Sequence, residues 1–164
     1  GLFNDAWSGN WGFIPFTEAE FRELGQSLKF LVDDELVQIA ELDGEPAAFI
    51  VGLPNINEAA AGFDGALLPL NWWHLLRALR GGRIATGRVP LMGVRRQFQK
   101  STLGSALAFM VIGAVKQELT ARGIMHVEMS WILEDNQGMR SILDAIGSRL
   151  YKRYRMFQKV LPGA

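Results

Sequence analysis

Residues 94–107 read VRRQFQKSTLGSAL. Basic and polar residues lead in, a lone glycine stands near the end, and a long apolar stretch follows. The segment is either a phosphate-binding turn short of one glycine or the capped start of a core helix. The first amides of an α-helix lack intrahelical acceptors and the helix dipole is positive there, so an anion binds well at such a start. Gly104 lets a ligand approach the backbone, and Ser101 or Thr102 supplies a cap. Behind them Leu103, Leu107, Met110, Val111, Ala114, Val115 and Leu119 form one apolar helical face, which Gly123 ends.

Working outward, residues 84–94 (IATGRVPLMGV) read as a strand in which Pro90 marks an edge or a bulge. On the other side, HVEMSWIL (126–133) reads as a buried strand, followed by a helix over 136–146 closed by Gly147. A last strand alternates Leu150, Lys152 and Tyr154 with Tyr151, Arg153 and Arg155. The unit 84–133 is expected to be a right-handed parallel crossover. Upstream, Thr17-Glu18-Ala19-Glu20 is a capping box, and Phe21, Leu24, Leu28 and Leu31 predict a helix near 18–31. LVQIAELDGEPAAFIVGL (36–53) predicts two strands joined by a tight turn at Asp43-Gly44. Residues 54–83 fit no strand; within them Trp72, Leu75, Leu76 and Leu79 make a helical stripe, with Arg77 and Arg80 off it. The expected fold is therefore mixed α/β (α+β): a central mixed sheet flanked by helices, one domain over 1–164 with an insert at 54–83.

The net charge of zero hides an asymmetry. Residues 1–64 hold twelve acids and two bases, whereas residues 65–117 hold eight bases and no acid. A purely basic middle third suggests a local positive field for an anionic ligand, or else halves that neutralise each other in the fold. A neutral chain without an RNA-binding aromatic motif argues against nucleic acid. The absence of cysteine excludes disulfides, thiolate nucleophiles and Cys-based zinc sites, and His74 and His126 alone do not suggest a metal site. No apolar run approaches the roughly 18 residues of a membrane span and no leader pattern opens the chain, so a cytoplasmic, metal-independent protein is expected.

The order of elements and the 99–104 segment together resemble the GNAT superfamily of acyl-CoA-dependent N-acyltransferases, from about Thr17 onward. The superfamily's signature is a strand, then Q/R-x-x-G-x-G/A, then a long helix whose amides hold the coenzyme A pyrophosphate. Gln99 takes the first position and Gly104 the last, while Thr102 stands where the middle glycine usually lies. A Cβ at Thr102 is tolerable only with negative φ. Residues 130–159 resemble the later segment, a strand leading to an Asn, a helix, a Gly and a last strand. NDAWSGNWGFIPFTEAEF, SWILEDN and YKRYRMFQK further resemble the C-terminal acyltransferase-like domain of larger bacterial GNAT proteins. Such members usually begin with a strand and helix before the element at 18–31, for which Gly1-Leu2-Phe3 leaves no room, so the first strand is expected to be missing.

The resemblance implies an acyl-CoA co-substrate (acetyl-CoA or another acyl-CoA), a small-molecule or peptide amine acceptor, and direct attack of the amine on the thioester. It implies cofactor contacts from Met92, Val94, Gln99, Lys100, Ser101, Thr102, Leu103, Gly104, Ser105 and Asn136. Oxyanion donors are expected from strand amides near Met92 to Val94. Glu128 and Glu134 are candidate bases. Glu128 either points into a cleft with its pKa raised by burial or pairs with an arginine, and Glu134 and Asp135 alternatively cap the next helix. The tyrosine acid common in the superfamily is replaced by Leu143, leaving Tyr151 or Tyr154 to take its place or simply to pack. The Trp-rich insert covers an apolar chain, forms a homodimer or second-domain face, or fills the core. Arg77, Arg80 and Arg83 are candidates for an anionic group. A third reading is a lipid- or membrane-facing domain that uses the Trp-rich insert, which calls for a more sustained amphipathic pattern. The alternative to an enzyme is a catalytically silent GNAT-like module for ligand binding or protein association.

Overall fold

A computed structural model describes residues 1–29, 32–82, 84–157 and 159. Its centre is a four-stranded sheet in the order β1-β2-β3-β4, formed by Val37–Leu42, Glu45–Pro54, Thr86–Val94 and His126–Glu128. The first three strands are antiparallel and β4 runs parallel to β3, so the sheet is mixed as expected. The β1–β2 turn places Asp43 at φ 52° and Gly44 at φ 80°, the two positive values a type I′ hairpin requires.

β2 carries a run of four buried residues, Ala47, Ala48, Phe49 and Ile50, because both faces of the sheet are covered there. On one face lies α5 (Thr102–Ala121), whose Leu107, Val111, Val115 and Leu119 pack into the core with Ala48, Ile50, Val89 and Met92. On the other face an aromatic cluster gathers round Phe3, with Trp7, Phe13, Phe16, Phe21 and Phe49 at centroid distances of 5.3–5.9 Å. This cluster is built by α1 (Leu2–Trp7) and α2 (Glu18–Leu28). The capping box forms: Thr17 Oγ1 accepts from the Glu20 amide (3.3 Å), and the Glu20 carboxylate accepts from the Thr17 amide (2.8 Å). α2 ends earlier than the periodicity suggested, and Leu31 lies outside the described residues. Where a first strand was expected to be missing, the short helix α1 precedes α2.

Between β2 and β3 the insert folds into α3 (Ile56–Ala60) and α4 (Asn71–Arg80), neither of which buries a residue. It is pinned at the start of β3 by Glu58. The carboxylate accepts from the amides of Ala85 (3.0 Å) and Thr86 (2.9 Å) and from the Thr86 hydroxyl. These bonds, the Thr86 hydroxyl first, hold the Glu58 pKa below its ordinary value.

Two strand expectations are corrected. In 126–133 only His126–Glu128 is strand, and it is not buried: Val127 is 38% exposed and Trp131 85% exposed. β4 is an edge strand with a ladder partner on one side only, and its apolar residues are left open. Residues 148–157 form no strand, and Leu150, Tyr151, Tyr154, Met156 and Phe157 are exposed. Alternation specifies faces, but a ladder needs a partner edge, and the described residues provide none here. The helix before them, α6 (Gln137–Ala145), is present as expected and is capped by Asn136, whose Oδ1 accepts from the Met139 amide (3.1 Å).

α5 meets the loop before it at Gly104. A Cβ there would lie 2.0 Å from the Phe98 carbonyl oxygen, which also accepts from the Ser101 hydroxyl (2.6 Å). Gly104→Ala is therefore expected to cost about 1–3 kcal/mol by overpacking, read as a Tm lowered by several degrees. Glu58→Gln is expected to lower Tm at neutral pH. Because the folded-state pKa is depressed, the stabilisation is present above the ordinary value of 4.5 and fades as pH falls through the lower folded value. The gap between wild type and variant should close in that acidic window, and a gap independent of pH would contradict the assignment.

Candidate functional site

The parallel pair β3–β4 is brief. Thr86, Gly87 and Arg88 pair with His126, Val127 and Glu128, after which β3 continues to Val94 and β4 stops. The far half of β3 therefore has a partner on only one edge. Its ladder with β2 slips between Leu91↔Val51 and Arg88↔Leu53, which places one extra residue in β3 at Val89-Pro90. A bulge at proline loses no ladder bond, since proline has no N–H to give. Beyond it the Arg95 amide donates to Ala47 of β2 (2.7 Å). By strand alternation Met92 and Val94 then turn their amides and carbonyls to the open edge. Their carbonyls are taken by side chains: Trp7 Nε1 donates to Met92 O (2.9 Å) and Gln99 Nε2 to Val94 O (2.9 Å). Gln99 Nε2 also donates to Ala6 O (3.0 Å), so this residue ties α1 to β3.

The loop from β3 to α5 passes through a 3₁₀ turn, Arg96–Phe98, and reaches the helix with Lys100 at φ 60°. The left-handed residue is thus Lys100, and Thr102, the first residue of α5, is free of positive φ. The Thr102 side chain is exposed. Ser101 is the N-cap: its Oγ accepts from the Gly104 amide (3.0 Å) and its carbonyl from the Ser105 amide (3.1 Å). Those two donors are spent. The amides of Lys100, Ser101, Thr102 and Leu103 take no acceptor among the described residues and run consecutively into the helix start. Successive amides around a left-handed residue make an anion-binding concavity, and the helix dipole adds to it.

At the point where β3 and β4 part, their last paired residues meet through side chains. Arg88 Nη2 donates to Glu128 Oε1 (2.9 Å), and the Tyr151 hydroxyl donates to Glu128 Oε2 (2.5 Å). The structure thus brings together Glu128 and Tyr151, which lie 23 positions apart in the chain. Of the two readings of Glu128, a cleft-facing carboxyl with a raised pKa or a carboxylate paired with an arginine, the structure shows the second. The Tyr151 hydrogen bond above all, and then Arg88, holds the Glu128 pKa below the ordinary value against a smaller opposing effect of burial. Bonding to the carboxylate conversely raises the Tyr151 pKa. At neutral pH the pair is one carboxylate and one protonated phenol. Arg88 Nε is buried and unpartnered among the described residues.

Glu134 caps nothing by its side chain in the described hydrogen bonds; its carbonyl accepts from Arg140 Nη1 (3.0 Å). The Tyr154 side chain is exposed, and Arg83 lies outside the described residues. Arg88 and Trp7 were not singled out from the sequence. Their signal would have been the β3–β4 register for Arg88 and the covering of β3 by α1 for Trp7, and neither is local. Among the described residues, no group of three or more potential metal ligands occurs, and no helix is long and apolar enough to cross a membrane.

No protein-family model matches the chain. Among curated proteins, Protein YghO of Escherichia coli (strain K12) is 51% identical over 158 residues, covering 96% of this chain and 40% of that protein. Bacterial ceramide synthase of Caulobacter vibrioides (strain NA1000 / CB15N) is 45% identical over 160 residues, covering 98% of this chain and 42% of that protein. The chain thus spans about two fifths of the length of these curated relatives. Among solved structures, AAC(6')-Iy in complex with the bisubstrate analog CoA-S-monomethyl-acetylneamine superposes with a TM-score of 0.57 at 16% identity. The match covers 98% of this chain and 88% of that one. The mixed sheet that forks between β3 and β4, with α5 crossing from one to the other, is the fold of the GNAT-type N-acetyltransferases.

Proposed function

We propose that this chain carries the acyl-transfer site of an acyl-CoA-dependent N-acyltransferase whose acceptor is a long-chain amine. The observation that carries the proposal is the fork. Its vertex holds a carboxylate and a protonated phenol, one wall offers strand amides, and four free amides lie at the start of α5. The shared fold supports the cofactor class, because AAC(6')-Iy holds a CoA-based bisubstrate analog. The relative named Bacterial ceramide synthase supports the substrate class. A ceramide is the amide of a long-chain amino alcohol and a fatty acid, so its formation from a thioester is N-acylation. This shifts the expected donor from acetyl-CoA toward a longer acyl-CoA.

In this reading the amides of Lys100 to Leu103 take the pyrophosphate, and Gly104 keeps the helix start against Phe98 so that they converge. Gln99 acts on the site through β3 and α1, and Asn136 and Ser105 by capping or closing helix ends. The amine nitrogen attacks the thioester carbonyl, and an open-edge amide of β3, Met92 or Val94, stabilises the oxyanion. The C–N bond forms, the C–S bond breaks, and the nitrogen's surplus proton passes to the ionised Glu128. Tyr151 gives its proton to the departing thiolate and regains one from Glu128, so that no net proton remains. Arg88 holds Glu128 at the vertex.

One observation favours a second reading, a catalytically silent module: the Met92 and Val94 carbonyls, on the edge where an extended ligand would pair, are already bonded by Trp7 and Gln99.

Two measurements test these readings. Saturating long-chain acyl-CoA should raise Tm, by the equivalent of about 2.7 kcal/mol at a hundredfold excess over Kd, and long-chain amines should release free CoA above background. A Tm shift without CoA release supports the silent module, and no shift at millimolar acyl-CoA removes the cofactor assignment. Tyr151→Phe deletes the main cause of the low Glu128 pKa, so the acid limb of kcat/KM should move to higher pH, with kcat also reduced. An unmoved acid limb would separate Glu128 from the chemistry.

A further inference from the structure

We propose that the outer face of α4 docks the protein on an anionic lipid surface. Trp73, Leu76, Arg77 and Arg80 stand at i, i+3, i+4 and i+7 and line a single shallow groove with Gly81. Leu75, Leu76, Ala78 and Leu79 are half-buried, and the helix contacts α3. α4 thus satisfies its own amphipathic stripe and still presents a second apolar surface. Trp73 is 53% exposed and stands edge-on to Trp72 at 5.7 Å. The segment leading into the helix adds Leu67, Leu68 and Leu70, of which Leu68 is 73% exposed. This extends the exposed apolar surface beyond the ten residues of the helix itself.

Charge selects the occupant. Arg77 and Arg80 make no ion pair with any described residue, and no acid occurs in residues 65–117. Of the acids just upstream, Glu58 is engaged by Ala85 and Thr86. Tryptophan bodies beside unpaired arginines suit the headgroup layer, where rings sit at the boundary and guanidinium groups meet lipid phosphates. A protein partner would be expected to bring carboxylates to a packed apolar centre. Here apolar Trp73 and Leu76 stand beside two arginines on one face, a combination that suits a phosphate-rich interface. The surface is separate from the fork, and the inference stands whether or not the fork transfers acyl groups.

The test is flotation of the purified full chain with vesicles of phosphatidylcholine alone and with 30 mol% phosphatidylglycerol. Binding should appear on the anionic vesicles, fall at least tenfold on the neutral ones, and weaken as salt rises. Arg77→Glu/Arg80→Glu should abolish the preference for anionic lipid. Trp72→Ser/Trp73→Ser should reduce binding on both, with circular dichroism confirming the fold. Wild-type tryptophan emission should shift to the blue and be quenched by brominated acyl chains, a readout that needs no variant. Protein remaining in solution, or binding indifferent to lipid charge, overturns the proposal. So does a wild-type dimer in solution that Trp72→Ser/Trp73→Ser converts to monomer, which would make this face an interface between copies.

Discussion

The structure turns on the unequal support of β3. Its β2 edge is bonded along almost the whole strand, but its other edge meets β4 through only three residue pairs. Backbone donors and acceptors set free in this way must find partners elsewhere or face water. Two carbonyls are met by Trp7 and Gln99, and in doing so they tether α1 against the sheet. Gly93 lies in the same contact: a Cβ there would fall 2.8 Å from Ala6 Cβ and 2.7 Å from Phe49 Cε1. The N-terminal aromatic cluster, the strand bulge and the fork are therefore parts of one solution to a single unpaired edge.

The vertex shows how pairing, more than burial, sets the state of a titratable group. Glu128 is partly buried, and burial alone would push its pKa up. A hydroxyl donor and a guanidinium on its two oxygens outweigh that desolvation. A carboxylate so held is ionised throughout the neutral range. Its strength as a base is given up in part for a fixed orientation and for a neighbouring phenol that retains its proton. Proton transfer at such a site is better viewed as a property of the pair than of either residue.

The parts of the fold that follow from local chemistry were legible in the sequence. The capping box, the Asp43-Gly44 turn and the apolar face of α5 each depend on residues within one or two turns of one another. Pro90 likewise signalled the bulge, because a missing N–H is visible in any context. Misreadings arose where a partner decided the outcome. HVEMSWIL has strand composition but only three residues find a ladder, and the 148–157 alternation finds none. The candidate site divides in the same way. Ser101, Gly104 and the helix start were readable, whereas Arg88 required the parallel register across 40 residues. Thr102 in the middle-glycine position meets the negative-φ condition, because the left-handed turn falls at Lys100. The glycine pattern specifies a backbone path, and this chain takes its left-handed step at Lys100, two residues before Thr102.

The two ends of β3 then differ in character. At its C-terminal end stand the free amides before α5, with Arg95, Arg96 and Lys100 in the approach and no acid among residues 65–117. At its N-terminal end the insert is fastened by Glu58 and carries tryptophans and leucines outward. Between them, Arg88 and Glu128 mark the vertex. A donor with a charged, hydrophilic handle suits the first end, and an acceptor with an apolar tail suits the second. Their reactive ends would then meet at the fork. In the proposed reading, a single strand, paired fully on one edge and barely on the other, supplies an axis along which donor and acceptor meet with their reactive ends together at the fork. The insert adds exposed apolar surface beside the start of β3 without altering the strand that carries the fork.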